Sequence, residues 1–221
     1  SATWVSTYCI RPAKLFVGVD QRLCIYVTLH DAINTSLFSS RYHRWHEEFR
    51  PYLLTQIQHT DISTIIFPNS MPKVHIALEL SLLRKSKLLK SFSQVLVPRI
   101  GSKVFFHNAP RYWVRAMDFA PYFWNERDGE QLSTQVKILN MPSKADAAVM
   151  VAVLNSSLFF WWFLLLSDCR HLNMREIENF PLGLDSMSEA VKSQLGGLTH
   201  DLMADFKRYK QRKECQYQTT G

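Results

Sequence analysis

The chain has 221 residues, a formal charge of +7, 47% apolar residues and 13% aromatic ones. That length holds one large or two small domains, and that apolar content supplies a sizeable core and argues against disorder. The basic excess favours a polyanionic partner, nucleic acid being the commonest, although a mildly basic soluble protein carries the same balance.

The opening Ser1-Ala2-Thr3-Trp4 lacks the basic and apolar regions of a signal peptide and reads as a strand already under way. The chain is therefore expected to begin inside a longer protein. Residues 3–10 and 22–29, rich in β-branched and aromatic side chains, predict two strands joined by a linker holding Pro12 and Gly18. Residues 39–58 read as an amphipathic helix opened by Ser39 or Ser40, and 63–67 as a short strand. Pro68-Asn69-Ser70 and Pro72 then mark a break, the expected domain boundary.

A second helix is expected over 73–90, ending in Arg84-Lys85-Ser86-Lys87. Three β-like runs follow, 94–97, 103–107 and 112–116, separated by the turn signals Gly101-Ser102 and Asn108-Ala109-Pro110; 136–139 is a fourth. One long apolar helix is expected over about 144–167. From Ala147 to Leu166 no residue is charged, about the 20 residues that cross a bilayer. Asn155-Ser156-Ser157 interrupts the run, and Asp146 and Asp168 bracket it. A buried core helix is the preferred reading, because a helix apolar all round can be central to a large protein. Residues 186–213 carry Met187, Val191, Leu195, Leu198, Leu202, Phe206 and Tyr209 at three- and four-residue steps, with Ser186 and Glu189 as a capping box. The basic end, Lys207 to Lys213, suits either a solvated terminus favoured by the helix dipole or phosphate contact.

Little catalytic chemistry is visible. Cys9, Cys24, Cys169 and Cys215 stand far apart without a CxxC pair, which argues against a zinc knuckle or a secreted disulfide scaffold and for reduced thiols in the cytoplasm. His43-x-x-His46 lies on the expected helix without a third metal ligand, and Glu126, Asp128 and Glu130 read as a polar loop. No GxG turn for a methyl-donor cofactor occurs, and no two of the nine prolines are adjacent. What remains is basic residues interleaved with aromatics. Arg99, Lys103, His107, Arg111, Tyr112, Trp113 and Arg115 crowd one stretch; Arg170, His171, Asn173 and Arg175 follow the apolar helix. Arginine can read guanine edges, asparagine can read adenine, and lysine and arginine hold phosphate.

Several blocks are familiar. WVSTYCIRPAKLFVGVDQRLCIYVTL resembles the strand–loop–strand that closes the catalytic domain in the Eco57I-like group of N6-adenine-specific DNA methyltransferases, and SSRYHRWHEEFRPYLL the helical segment after it. PRIGSKVFFHNAPRYWVRAMDFAPYF and LNSSLFFWWFLLLSDCRHLNMREIENFPL resemble the target-recognition region of such enzymes. The resemblance implies an α/β fold. Residues 1–70 would be the C-terminal edge of the catalytic domain, trailing strands of a Rossmann-like sheet, and 71–221 a mixed α+β target-recognition domain. It also implies a bacterial restriction–modification parent that transfers methyl from S-adenosylmethionine to adenine, some relatives being fused to a nuclease. The cofactor motif and Pro-Pro loop would lie upstream, so neither cofactor binding nor catalysis is expected of these residues. Double-stranded DNA and the upstream catalytic domain are the implied partners, with no membrane. Arg99, Lys103, Arg111, Arg115, Arg170, His171, Asn173 and Arg175 are the implied DNA contacts, and Phe16 sits where the family often places an aromatic near a flipped base. The competing expectation is a membrane-associated or structural interaction domain built on 147–166.

Overall fold

The computed structural model describes residues 1–30, 35–65, 67, 70–95 and 100–215. In chain order the regular elements are β1 (Ala2–Tyr8), β2 (Leu23–Leu29), β3 (Ser36–His43), β4 (Thr60–Asp61), α1 (Ala77–Ser86), β5 (Ser102–His107), β6 (Ala116–Met117), β7 (Trp124–Asn125), β8 (Gly129–Glu130), β9 (Val136–Met141), α2 (Lys144–Asn155), α3 (Ser157–Leu166), α4 (Met174–Glu178) and α5 (Glu189–Tyr209). The architecture is mixed α/β with three small sheets among the described residues. It divides into two compact units interleaved along the chain. Unit 1 comprises Ser1–Leu96, Asn108–Trp113 and Ser157–Ser186; unit 2 comprises Val97–His107, Val114–Ser156 and Met187–Gly221. The units do not part at the proline-marked break near residue 70, because the segment that follows it packs within unit 1.

Unit 1 carries a mixed sheet in the order β2-β1-β3-β4. β1 runs antiparallel to β2 and parallel to β3, with a register shift between Val5 and Thr7. The two N-terminal strands form where β-branched and aromatic content predicts them. The helix expected over 39–58 is replaced by β3 and two short 3-10 turns, Glu47–Tyr52 and Leu54–Gln56. Two causes are visible. The backbone of 36–43 pairs with β1, and Pro51, inside the first turn, cannot continue an α-helix. Ser39 and Ser40 are not cap residues but buried strand residues. Ser39 Oγ accepts the Val74 N–H at 3.1 Å, and Ser40 Oγ is hydrogen-bonded to His43 Nε2 at 2.9 Å.

The apolar run is two helices. α2 ends at Asn155, Ser156 takes an extended conformation (φ −75°, ψ 152°), and α3 starts at Ser157. α2 belongs to unit 2 and α3 to unit 1, and no single helix among the described residues is long and apolar enough to cross a membrane. α3 buries Phe159, Trp162, Phe163, Leu165 and Leu166 in unit 1. Phe180 meets Phe159 and Trp162 edge-on, with ring centroids 5.1 and 5.6 Å apart, and Trp162 Nε1 donates to the Glu176 carbonyl at 2.9 Å. Trp161 is only partly buried.

Unit 2 has a three-stranded antiparallel sheet, β6-β5-β9, on which α2 packs, with α5 packed on α2, and a separate β7–β8 hairpin. Val104 and Phe106 of β5 and Leu139 and Met141 of β9 are buried. Asn155 at the end of α2 holds both backbone groups of Ala116, and Thr199 of α5 donates to the Ala148 carbonyl at 2.6 Å. The expected strand at 94–97 falls partly outside the described residues, and a 3-10 turn occupies Phe92–Val95. α5 is capped by Ser188, whose side chain accepts the Val191 N–H, rather than by Ser186.

His43 generates a stability prediction. Burial, aided by the charge of Arg41 and by His75 and His59, pushes its pKa down to about 4. The neutral ring is the folded form, so its contribution is whole above the unfolded value of about 6.5 and is withdrawn as pH falls towards 4. His59, hydrogen-bonded to Ser6 Oγ and lowered by burial, acts in the same sense. In urea unfolding, stability is expected to fall across this window, and His43→Gln should reduce the fall by on the order of 2–3 kcal/mol. An equal acid decline in the variant would refute the assignment.

Candidate nucleic-acid interface

The expected contact residues fall in both units. Lys103 and Arg115 belong to unit 2; Arg111, Arg170, His171, Asn173 and Arg175 belong to unit 1. Arg99 lies outside the described residues.

In unit 2 the ladder of β5 and β6 pairs Phe105 with Met117, and the His107 N–H reaches the Arg115 carbonyl at 3.0 Å. Because cross-strand partners and alternate residues share a face, Lys103, His107 and Arg115 project from one side of the sheet. Lys103 and Arg115 are exposed, while Val104 and Phe106 point to the opposite, buried side. The basic end of α5 is partly engaged: Lys207 lies 3.9 Å from Asp118 and over the Phe119 ring, and the Arg212 guanidinium lies 4.0 Å above the centre of Tyr122.

In unit 1 the chain brings distant basic segments together. The Leu172 N–H donates to the Asn108 carbonyl at 2.7 Å, tying the segment that carries Arg111 to the loop that carries Arg170 and His171. That loop turns on Asp168, whose Oδ1 accepts the Arg170 and His171 N–H groups at 2.7 and 2.9 Å. Arg44, just past the end of β3, reaches the Arg111 carbonyl with Nη2 at 3.4 Å. Among the described residues, none of Arg41, Arg44, Arg111 and Arg170 forms an ion pair with a carboxylate. Tyr112 and Trp113 stand exposed beside Arg111.

A cleft in unit 1 adds residues that the sequence reading missed. Arg41, Tyr42 and Arg44 line it together with Lys73, Glu79 and Trp161, around a cavity of about 260 Å³. The run Arg41-Tyr42-His43-Arg44-Trp45 interleaves cations and aromatics as 103–115 does. That signal is present in the sequence, but the expected amphipathic helix over 39–58 takes in these residues without singling out their basic and aromatic side chains. Lys73 carries no comparable signal.

Two expected readers have other work. Asn173 begins α4, gives its N–H to Glu176 Oε2 at 2.9 Å, and lets its amide donate to the His171 carbonyl at 3.4 Å. Arg175 holds Glu176 Oε1 through Nη2 at 2.6 Å and Nε at 3.1 Å. Phe16 is exposed in the β1–β2 link, while its neighbour Leu15 packs on Tyr8, Ala13 and Trp45. His43 ends a strand instead of pairing with His46 on a helix, and Asp128 closes the β7–β8 turn by donating its N–H to Asn125 Oδ1. Among the described residues no group of three or more His, Cys, Asp or Glu side chains is placed to hold a metal ion.

Compared with known proteins, the chain matches no family model, no curated protein and no solved structure.

The Arg175–Glu176 pair is testable on its own. The Glu176 side chain is only 2% exposed. Arg175→Ala leaves its carboxylate with the Asn173 N–H alone, and should lower stability by about 1–3 kcal/mol. Adding Glu176→Gln should recover much of that loss in denaturant unfolding. Unchanged stability in Arg175→Ala would release this arginine for a ligand.

Proposed function

We propose that this chain recognises duplex DNA in the service of adenine-N6 methylation, as the target-recognition part of an S-adenosylmethionine-dependent restriction–modification methyltransferase. The observation that carries the reading is the grouping of Arg44, Arg111 and Arg170 in unit 1 on segments joined by the Leu172–Asn108 and Arg44–Arg111 hydrogen bonds, with no carboxylate partner among the described residues. Guanidinium groups left unpaired on a surface hold phosphate and read base edges bidentately. Exposed Tyr112 and Trp113 add stacking surfaces beside them. Lys103 and Arg115 offer unit 2 a second contact face. In this reading β1 and β2 are trailing strands of a Rossmann-like catalytic sheet supplied upstream in the same cytoplasmic enzyme, and Phe16 faces the substrate base from the link between them.

Anisotropy of a labelled duplex, titrated with the full chain across a range of salt, tests this. Affinity should fall steeply with salt, with a slope of about −0.9 per phosphate neutralised. A combined Arg111→Ala and Arg170→Ala variant should bind more weakly and lose roughly two units of that slope if both hold phosphate. A base-reading arginine should instead cost about 1–3 kcal/mol at one base pair. Absence of duplex binding at low salt, or identical binding by the variant, would overturn the proposal.

The same reading assigns the methyl donor to residues outside this chain. Calorimetry should find no S-adenosylmethionine binding until the chain is joined to a catalytic part with a glycine-rich turn and a Pro-Pro loop. Micromolar binding by residues 1–221 alone would contradict it.

A further inference from the structure

We propose that the unit 1 cleft beside the end of β3 is a phosphate pocket that seats one nucleotide unit, its phosphate on Arg41, Arg44 and Lys73 and its base or sugar against Trp161. This deepens the DNA-recognition reading and rests on it for the source of the nucleotide, while the pocket chemistry stands on its own geometry.

Charge is the first argument. Three cations line the cleft against one carboxylate, Glu79. Glu79 is already occupied: Oε2 accepts the His75 and Ile76 N–H groups at 2.7 and 3.4 Å, and Oε1 accepts Trp161 Nε1 at 3.0 Å. It anchors the start of α1 and the indole, leaving the arginines without a counter-ion. An ammonium has three donors. Lys73 Nζ gives two of them to the Leu165 and Ser167 carbonyls, at 3.2 and 2.7 Å, and its remaining donor is available to a ligand. Burial holds the Lys73 pKa below its usual value, the opposing pull of Cys169, Asp168 and Glu176 being the lesser effect. An anion in the cleft would reverse that penalty.

Shape is the second argument. The cavity of about 260 Å³ lies just below the ~300–1,000 Å³ of clefts that take drug-sized ligands, a size suited to one phosphate with one ring. The wall is preorganised. Trp161 is pinned by Glu79, Tyr42 receives Arg22 Nε on its hydroxyl at 2.9 Å, and the Arg44 guanidinium lies 5.7 Å from the Tyr42 ring centre. Leu164 and Leu165 supply an apolar floor. Fixed donors beside an aromatic plate suit an organic phosphate, because guanidinium matches phosphate bidentately and a ring stacks on indole.

The nucleotide has two possible sources, a strand of bound DNA or a free mononucleotide, and the probes separate them. Calorimetry of the full chain should use deoxyadenosine 5′-monophosphate, deoxyadenosine and a short duplex. The variant is Arg41→Gln with Arg44→Gln, two exposed residues without ion pairs among the described residues, so its thermal unfolding should match the parent. Lys73→Met is the less direct probe, because Lys73 also caps α3. The monophosphate should bind roughly tenfold or more tightly than the nucleoside, and the double variant should lose roughly tenfold or more for the monophosphate, about the effect of one charge-assisted bond. Trp161→Phe should weaken the monophosphate by a smaller factor. A parallel loss for the duplex makes DNA the source. Loss for the monophosphate without any duplex binding by the parent upholds the pocket as a free-nucleotide site and sinks the DNA reading. Equal binding of monophosphate and nucleoside, or an unaffected double variant, overturns the pocket even where duplex binding persists.

Discussion

The carbonyl groups at the C-terminal end of α3 set the terms on which unit 1 folds. The helix Ser157–Leu166 reads SLFFWWFLLL and has no polar face, so it is stable only when buried. The last turn of a helix leaves its carbonyls without intrahelical partners, and burying them unpaired is costly. Residues from elsewhere in the chain resolve this. Leu165 O accepts the Lys73 N–H at 2.9 Å and Lys73 Nζ, Leu166 O accepts Ser70 Oγ at 2.6 Å, and Leu164 O accepts Cys169 Sγ at 3.3 Å. Placing an ammonium there also opposes the negative end of the helix dipole. Cys169, with φ 57°, turns the chain so that its thiol can reach back.

That requirement carries through to the candidate site. Once Lys73 is committed to the end of α3, the backbone beside it is committed too: the Val74 N–H goes to Ser39 Oγ in β3, and the His75 carbonyl accepts Thr60 Oγ1 at 3.0 Å. The sheet and the apolar helix are thereby linked through one short segment. The same link brings Arg41 and Arg44, from the end of β3, to the cleft whose other wall is Trp161 of α3. The basic cleft follows from the way unit 1 closes over an all-apolar helix, and no separate binding loop is needed to build it.

What was legible in the sequence followed local rules. β1 and β2 lie where their β-branched and aromatic content places them, and α5 lies where periodicity places it, but β2 buries no side chain and α5 buries Thr199 and Met203 instead of its predicted stripe. β3 was illegible because Ser39 and Ser40 look like helix caps, and their use as buried strand hydroxyls depends on Val74 and His43. The break of the apolar run at Ser156 was visible in Asn155-Ser156-Ser157, but not that its two halves serve different units. The units are interleaved: Arg111 and Arg115, four positions apart, belong to different ones. No proline cluster or shift in composition can mark such a division. In the candidate site, Arg111 and Arg170 could be picked out by type and neighbourhood, whereas Arg175 could not be told from a reader until its buried partner Glu176 was seen.

Net charge alone does not separate a solvated basic protein from one that grips a polyanion; where the charges are paired and where they are not bears on the choice. Some basic residues of the chain stand beside carboxylates: Lys14 with Asp20, Arg50 with Glu47, Lys90 with Asp185, Lys192 with Glu189. Such exposed pairs add little stability, but each cancels a charge where it stands. Arg41, Arg44, Arg111 and Arg170 have no such neighbour among the described residues, and Glu79, the one carboxylate in the cleft, is held by three N–H donors. Basic residues without a carboxylate partner occur in both units, and in unit 1 four of them, all guanidinium groups, stand on the segments around β3, Arg111 and Arg170. A solvated surface gains nothing from collecting unpaired guanidinium groups that repel one another. A surface that receives phosphate gains in proportion to how many it collects, because each adds counter-ion release and a bidentate contact.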